Sequence, residues 1–503
     1  MVTRFILIIL LLPFTAFSAG PNKRLIVTFK KDANFVQASR SVQGGAPENE
    51  RMIVELKEGE SVQEAMKQWQ DVAHVEEDKI LSHFGMTNPS VNDPRADDQW
   101  HFFDDFSGID LNTVWSESAG EEIVVAVVDT GIRPHRDLEG RILQGADMIS
   151  DTSVSNDGDG RDRDATDPGD WVAPGDPCYQ GQSHNSSWHG THVAGTILAE
   201  NDNGKDVAGI NPHAKLLPVR VLGKCGGYTS DIADGIRWAA GGPGGIVAGL
   251  RPNPNPAKVI NLSLGGSGAC DFTMQSAIDY AVTQGAVVVV AAGNSSLDMD
   301  QNPVTPATCN NVVTVGASNK SRQLSWFSNH GRAVDIVAPG GQSPSGVISL
   351  GNSGRTTPGS DSVTEMSGTS MASPHIAGIV SLMKSVNPDI AAHQVESILR
   401  ASGSVMSGMC AVPGRCGGGF VFAVSAVAEA SRTIAEDPVL SGSDSINPAP
   451  TVPLITRSDD EGSGGACGSV DMSGGPGSFG GGMFIGILLI FMLGNIGKVR
   501  RYA

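Results

Sequence analysis

Three residues that could carry out acyl transfer stand next to predicted strand and helix ends. Asp129 follows an apolar strand predicted at 123–128, and His189 precedes small residues that would let a helix pack closely on a sheet. Ser370 lies four residues before Pro374, a residue that fits the first turn of a helix. Peptide hydrolysis needs a nucleophile, a general base and a group that orients the base, and these three residue types can supply them.

The same chemistry needs hydrogen-bond donors for the oxyanion. A serine at a helix N-terminus has its own backbone N–H free, so Ser370 could provide one donor. Asn294 follows a strand predicted at 286–291, and its side-chain amide could provide a second donor.

Each of these positions also has an ordinary structural interpretation. Asp129 and Asn294 could be turn residues, and Ser370 could be a helix cap. His189 and His192 have the i, i+3 spacing of a zinc pair, although no third ligand or Glu motif accompanies them.

The elements that would position these residues form an α/β domain predicted at 91–435. Uninterrupted apolar strands separated by helices indicate a parallel sheet covered on both faces, with its site at the carboxyl ends of the strands. Strands are predicted at 123–128, 216–222, 259–264, 286–291, 311–315 and 334–337, and helices at 231–240, 273–284, 369–385 and 390–401.

The chain ends predict export. Residues 1–19 have a basic Arg4, an apolar run and small residues before the predicted cut, as in a signal peptide. The apolar run is too short to span a bilayer comfortably, which argues against the alternative of an N-terminal membrane anchor. We therefore expect a secreted or cell-surface protein.

Three further segments flank the main domain. Residues 20–90 predict a small α+β unit, with strands at 24–29, 51–56 and 72–76 and a helix at 61–70. Residues 436–482 are rich in Gly, Ser and Pro and predict a linker. Residues 483–503 are apolar and then basic, so we expect a transmembrane anchor or a segment that is removed during export.

Charge and cysteine content narrow the function classes. The formal net charge is -19, which excludes an extended contact with nucleic acid phosphates. Export makes disulfides plausible, and the pairing of the first six of the seven cysteines stays open from spacing alone. Cys467 is left over.

Five motifs in order resemble the subtilisin (subtilase) family over residues 100–430. They are VVDTGI at 127–132, HGTHVAG at 189–195, NLSLG at 261–265, AGN at 292–294 and GTSMA at 368–372. The resemblance implies a subtilisin-like parallel sheet flanked by helices and a serine endopeptidase. Ser370 would be the nucleophile, His189 the base and then the acid, Asp129 its orienting partner and Asn294 an oxyanion donor. No cofactor is needed for this chemistry.

The same resemblance implies the partners of the enzyme. Ser263, Leu264 and Gly265 would pair with an extended protein or peptide substrate. Residues 20–90 would be a propeptide that inhibits the site and is cut away by the enzyme itself; the alternative is an independent binding domain. The C-terminal segment resembles bacterial sorting tails. We expect a monomer.

Structural Ca²⁺ is the expected ion, because a dense run of carboxylates repels itself unless a cation neutralises it. The alternative is a solvated acidic loop. The loop residues are Asp157, Asp159, Asp162, Asp164, Asp167 and Asp170, and the resemblance implies a second site at Asp137, Asn201 and Asp202.

The resemblance also favours disulfides in chain order, pairing Cys178 with Cys225, Cys270 with Cys309 and Cys410 with Cys416. Two other functions remain. One is a catalytically inactive binding or surface module with the same fold, and the other is an esterase or transpeptidase that uses the same residues.

Overall fold

The computed structural model of the chain describes residues 24–29, 51–55, 72–77, 91–118, 120–176 and 183–435. The strands are β1 (Arg24–Phe29), β2 (Arg51–Glu55), β3 (Val72–Glu77), β4 (Val124–Asp129), β5 (Ala146–Asp147), β6 (Lys215–Arg220), β7 (Val259–Leu262), β8 (Gly266–Ser267), β9 (Val287–Ala291), β10 (Val304–Thr305), β11 (Val312–Ser318), β12 (Ile336–Pro339), β13 (Val347–Asn352) and β14 (Asp361–Met366). The helices are α1 (Trp100–Phe103), α2 (Leu111–Glu117), α3 (Thr152–Ser155), α4 (His189–Leu198), α5 (Thr229–Ala240), α6 (Phe272–Thr283), α7 (Thr369–Val386), α8 (Ala392–Ser402) and α9 (Ala423–Arg432).

A seven-stranded parallel sheet forms the centre, in the order β12-β11-β9-β7-β4-β6-β5. Its middle strands are rich in valine, and every residue of β9 and β11 is buried. β-Branched side chains suit strands, and burial of both faces explains why these runs do not alternate with polar residues. The predicted α/β fold with a helix-flanked parallel sheet is confirmed.

The chain changes direction across the sheet at β4. This strand pairs in parallel with β6 on one side and with β7 on the other. From β4 the chain first builds β5 and β6, then crosses to β7 and continues outwards to β12. Ligands of such sheets bind at the carboxyl edge where the strand order reverses, and Asp129 is the last residue of β4.

Helices α4 and α7 bring the other candidate residues to this edge. Helix α7 packs on β7, β9, β11 and β12, and it also packs against α4. Helix α4 contacts β4. Because His189 begins α4 and Ser370 is the second residue of α7, both lie at helix N-termini.

Two antiparallel pairs lie outside the predicted strands. Strands β13 and β14 form a hairpin, and the short β8 pairs with β10. Strand β14 carries polar residues and none of its residues is fully buried, so it lacks the apolar run that marked the central strands.

The N-terminal unit contains an antiparallel sheet in the order β2-β1-β3. The helix predicted at 61–70 lies outside the described residues, as do the signal segment and residues 436–503. The chain divides into units Met1–Ser445 and Ile446–Ala503. The domain limits proposed from the sequence stay predictions.

The expectation of a transmembrane segment needs correction. Across the ranges that the structure describes, no helix is long and apolar enough to cross a bilayer. Residues 483–503, on which the expectation was based, lie outside those ranges.

Candidate active site

Asp129 and His189 are joined by a hydrogen bond at the carboxyl edge of the sheet. The Nδ1 atom of His189 lies 2.7 Å from Oδ1 of Asp129, and the Asp129 side chain is fully buried. The same Oδ1 accepts the backbone N–H of Thr130 at 2.7 Å. A carboxylate on Nδ1–H fixes the tautomer that leaves Nε2 free to accept a proton.

Gly190 lets the start of α4 approach β4 this closely. A Cβ atom at this position would lie 2.2 Å from the carbonyl oxygen of Gly131 and 3.3 Å from Cβ of Asp129. The backbone N–H of Gly190 instead donates to Oγ1 of Thr130 at 3.1 Å. The small residue after His189 thus sets the distance between the imidazole and its carboxylate.

The surroundings of His189 act on its pKa in two directions. Burial lowers the pKa of the imidazole, but the charge and hydrogen bond of Asp129 raise it, and the charges of Asp170 and Asp167 raise it further. The net result is a pKa above the ordinary 6.5. The carboxylates therefore stabilise the imidazolium that forms when His189 takes up a proton.

Ser370 is tied to the segment that follows β7. Its hydroxyl donates to the carbonyl oxygen of Ser263 at 3.1 Å, and the Ser263 hydroxyl donates to the carbonyl oxygen of Ser370 at 2.9 Å. These reciprocal bonds hold the nucleophile candidate beside residues 263–265. Along that segment Ser263 is buried, Leu264 is half-buried and Gly265 is exposed.

Asn294 is oriented by the first residue of α7. Its Oδ1 accepts both the backbone N–H of Thr369 at 2.8 Å and the Thr369 hydroxyl at 2.9 Å. With the oxygen occupied, the amide Nδ2 is the group that can donate, and it lies 3.4 Å from where a Cβ of Gly368 would be. The Asn294 side chain is exposed to solvent.

His192 lies in α4, one turn beyond His189. Its Nε2 bonds the carbonyl oxygen of Val347 at 3.1 Å, and burial lowers its pKa to about 3. In the described part of the chain, no group of three or more His, Cys, Asp or Glu residues could hold a metal ion. The zinc alternative has no support.

The acidic loop of 157–170 is held largely by the protein's own donors. The buried Arg220 guanidinium bonds Asp147 and the carbonyl oxygen of Ser155, and its Nη1 lies 2.5 Å from Oδ2 of Asp157. Asp167 accepts the Thr130 hydroxyl at 2.8 Å, and burial raises its pKa to about 6. An arginine partner was not anticipated from the sequence, because Arg220 is 63 residues from Asp157.

The remaining loop carboxylates have separate local partners. Asp162 and Asp164 accept backbone N–H groups two residues ahead, as Asx turns do. Asp159 is exposed, and the neighbouring charge of Asp157 raises its pKa. Asp170 accepts the N–H and the hydroxyl of Ser187.

The second predicted ion site is arranged around a different asparagine. Asp137 accepts Nδ2 of Asn203 at 2.7 Å and the backbone N–H of Val207 at 3.1 Å. Asn201 instead bonds the backbone of Gly209 through both atoms of its amide. Asp202 accepts the backbone N–H of Asn92. As arranged here, the three residues do not form a common ligand set.

Two of the expected cysteine pairs are bonded in the structure. Cys270 joins Cys309, with 5.0 Å between their Cα atoms, and Cys410 joins Cys416, with 5.2 Å. Cys178 lies outside the described residues, so its pairing with Cys225 stays a prediction.

Comparison with known proteins decides the family. Residues 120–419, more than half of the chain, match the subtilase family of peptidases. The chain belongs to the subtilase family. This subtilase has the motif order and the sheet that the sequence predicted.

Several named relatives are proteases. The chain is 47% identical over 362 residues to an extracellular protease of Xanthomonas campestris pv. campestris, which covers 72% of this chain and 60% of that protein. It is 42% identical over 332 residues to an extracellular basic protease of Dichelobacter nodosus, which covers 65% of this chain and 53% of the relative. The subtilase thus spans less than two thirds of either relative. A thermophilic serine proteinase of Bacillus sp. strain AK1 is 32% identical over 72% of this chain and 77% of its own length.

A solved structure shows the same fold. A protease from Pseudoalteromonas arctica PAMC 21717 is 50% identical, with a TM-score of 0.64, and the match covers 68% of this chain and 100% of that one.

Proposed function

We propose that this subtilase is a secreted serine endopeptidase that hydrolyses proteins and peptides through an acyl-enzyme. The observation that carries the proposal is the 2.7 Å bond between His189 and a fully buried Asp129 at the sheet edge, where α7 presents Ser370. The Xanthomonas and Dichelobacter relatives are named extracellular proteases, which supports both the activity and the secretion.

Ser370 attacks the scissile carbonyl and transfers its proton to Nε2 of His189. For this step the hydroxyl turns from the Ser263 carbonyl to the imidazole, a change that substrate binding can bring about. Asp129 keeps the proton on Nδ1 and stabilises the imidazolium. His189 then returns the proton to the leaving amine, and water releases the acyl group by the same steps in reverse.

Two donors hold the oxyanion. The backbone N–H of Ser370 lies in the first turn of α7, where it has no partner within the helix. Nδ2 of Asn294 is oriented by the bonds of its own oxygen to Thr369. Donors fixed before the reaction stabilise the transition state without a reorganisation cost.

The segment Ser263, Leu264 and Gly265 binds extended substrate as an added strand. Solvent exposure increases along the segment from Ser263 to Gly265, and Ser263 is hydrogen-bonded to Ser370. Both observations support this assignment. Main-chain pairing gives affinity for many sequences, and side-chain pockets then select among them.

Residues 20–90 act as an inhibitory propeptide that the enzyme removes itself. The antiparallel sheet of β1, β2 and β3, which shares no strand with the central sheet, supports this assignment. On sequence grounds, residues 1–19 are a signal segment, 91–435 the peptidase domain, 436–482 a linker and 483–503 a sorting tail.

Subtilases commonly bind structural calcium, and we propose a structural Ca²⁺ away from the reacting groups. Two of the residues expected to bind it have protein partners instead: Arg220 neutralises Asp157, and Asn201 bonds the backbone of Gly209. No ligand set is therefore assigned. An unfolding midpoint that is the same in excess chelator and in excess calcium would refute the proposal.

The experiment compares the purified wild type with Ser370→Ala on a casein-like protein and on simple esters. We expect the wild type to cut the protein at internal bonds, and the variant to be inactive and to accumulate a precursor that retains residues 20–90. A folded, processed wild type that cuts no protein would indicate an inactive binding module. Cleavage of esters alone would indicate an esterase.

A further inference from the structure

A cavity of about 600 Å³ opens beside His189. Its walls include Asp170 and Ser187, which are bonded to each other, Ser263 near the candidate nucleophile, and Lys224 in the loop 222–226. Since Ser263 bonds Ser370 in both directions, the cavity adjoins the position of the scissile bond. A substrate side chain close to that bond would enter it.

The positive charge of Lys224 in this cavity is neutralised by an ion pair. Nζ of Lys224 lies 2.5 Å from Oδ1 of Asp176, and the two side chains are only 15% and 16% exposed. The hydrogen bond from Lys224 lowers the pKa of Asp176 and so favours its carboxylate form. Lys224 therefore adds little positive potential to the cavity.

Asp170 is fixed by neutral donors instead. Its Oδ1 accepts the backbone N–H of Ser187 at 2.6 Å, and its Oδ2 accepts the Ser187 hydroxyl at 2.8 Å. These bonds orient the carboxylate but do not cancel its charge. Among the residues that the structure describes, no lysine or arginine forms an ion pair with Asp170.

The fixed carboxylate is also linked to the catalytic histidine. The hydroxyl of Ser187 accepts the backbone N–H of His189 at 3.3 Å while it donates to Asp170. The negative charge thus lies on the cavity wall next to the candidate reacting groups, on a half-buried side chain. An oriented charge with no cation partner favours a ligand of opposite charge.

We propose that Asp170 is a specificity-determining residue, and that the cavity selects a lysine or arginine side chain of the substrate next to the scissile bond. This inference rests on the proposed peptidase function and names a preferred substrate class for it. The substrate's cation would complete the ion pair that the protein leaves open.

The test uses the processed full-length enzyme and pairs of peptides that differ only in lysine or norleucine at one position. One such pair is made for each substrate position from four residues before the scissile bond to two residues after it. Norleucine has nearly the shape of lysine without the charge, so the ratio of kcat/KM within a pair isolates the charge. The assay is run at about pH 8.5, where an ordinary imidazole is neutral.

At one position near the scissile bond we expect the wild type to prefer lysine by roughly fivefold, and the preference to shrink in high salt. Asp170→Asn should abolish it, and Asp170→Glu should retain part of it. Asp164→Asn is the matched control, because Asp164 is an exposed carboxylate of the same loop and should leave the ratio unchanged.

An unchanged ratio in Asp170→Asn would overturn the inference, and so would a wild type with no lysine preference at any position. If Asp170→Asn does not fold, the wild-type ratio of kcat/KM for lysine over norleucine is compared at low and high salt. A ratio that does not shrink in high salt then overturns the inference. The norleucine peptides distinguish failure of the specificity proposal from failure of the peptidase function. If the wild type cleaves them and Ser370→Ala does not, the peptidase function holds whatever the lysine ratio is. If the wild type cleaves none of them, the peptidase function itself fails.

Discussion

At the residue scale, the site depends on which atom of each side chain is already occupied. Asn294 illustrates this, because Thr369 takes both available positions on Oδ1 and leaves Nδ2 to donate. The same logic holds for His189, whose Nδ1 is bound to Asp129 so that Nε2 can act as the base. The hydrogen-bond pattern, rather than residue identity alone, assigns the roles.

Replacing Asn294 separates its two functions. Asn294→Asp keeps an acceptor for Thr369 but replaces the donor with a charge that repels the oxyanion. We expect kcat to fall by at least about 10²–10³-fold with little change in KM, a magnitude taken over from the loss of one such donor in subtilisin rather than calculated. Steady-state kinetics of Asn294→Ala and Asn294→Asp provide the check. Activity near wild type in Asn294→Asp would remove Asn294 from the oxyanion site.

The charges around His189 determine how activity depends on pH. His189 must be neutral to act as a base, and nearby carboxylates raise its pKa. Loss of the Asp170 charge removes one of these contributions, so the pKa should fall and the acidic limb of kcat/KM should move to lower pH. The profile is measured on a norleucine peptide for Asp170→Asn and for Asp164→Asn. A limb that moves to higher pH in Asp170→Asn would contradict this electrostatic account.

The candidate reacting residues can be predicted from the sequence, but their hydrogen-bond partners cannot. Asp129, His189, Asn294 and Ser370 stand in short motifs at strand and helix ends, where residue type and position already suggest a role. The bonds of Ser370 to Ser263, by contrast, span 107 residues. The pairing of Asp170 with Ser187 is another contact that no local pattern reveals.

At the element scale, the close approach of α4 to β4 places the base on its carboxylate. Gly190 permits that approach, because any Cβ would overlap the carbonyl oxygen of Gly131. The alternative to overlap is a shift of the helix start, which carries His189 with it.

Gly190→Ala should therefore damage catalysis more than folding. A displacement of about 1 Å at a reacting group can cost about 10²-fold in rate, and we expect a loss of kcat/KM of that order. Gly160→Ala is the control, because a Cβ there would lie 3.8 Å from its nearest neighbours. Kinetics and thermal unfolding of both variants provide the measurement. Wild-type activity in Gly190→Ala would show that the helix start is not held by this contact.

The central strands were predictable because their chemistry is uniform. Strands buried on both faces have continuous valine-rich runs, and the predicted 286–291 matches β9 (Val287–Ala291) closely. The hairpin of β13 and β14 was missed because β14 is polar and only half-buried along much of its length. A half-buried polar strand lacks the continuous apolar run by which the central strands were predicted.

At the scale of the whole molecule, cross-links and buried charges add to a large apolar core. Arg220 is buried between Asp147 and Asp157 and supplies positive charge inside the acidic loop. A count of carboxylates predicts a calcium ion there. The cation that the structure places in the loop is instead a residue of β6, far along the chain, which no local pattern indicates.

The two observed disulfides should differ in their contribution to stability. A cross-link stabilises mainly by restricting the unfolded chain, and more so for longer loops. The sequence separation is 39 residues for Cys270–Cys309 and 6 for Cys410–Cys416. We expect a loss of about 4 kcal/mol for the double alanine variant of the first pair and about 2 kcal/mol for the second. Denaturant unfolding of the two variants tests this order, and a larger loss for Cys410–Cys416 would contradict it.

Active-site labelling of the secreted, processed protein tests the central claim most directly. A fluorophosphonate reacts with a serine whose hydroxyl is activated by a neighbouring base, and mass spectrometry of the digested protein locates the adduct. We expect the wild type to carry a single adduct, on Ser370, and the His189→Ala variant to carry none under the same conditions. A folded and processed protein that carries no adduct, or that carries it on another serine, would contradict the assignment of Ser370, His189 and Asp129 as one catalytic unit.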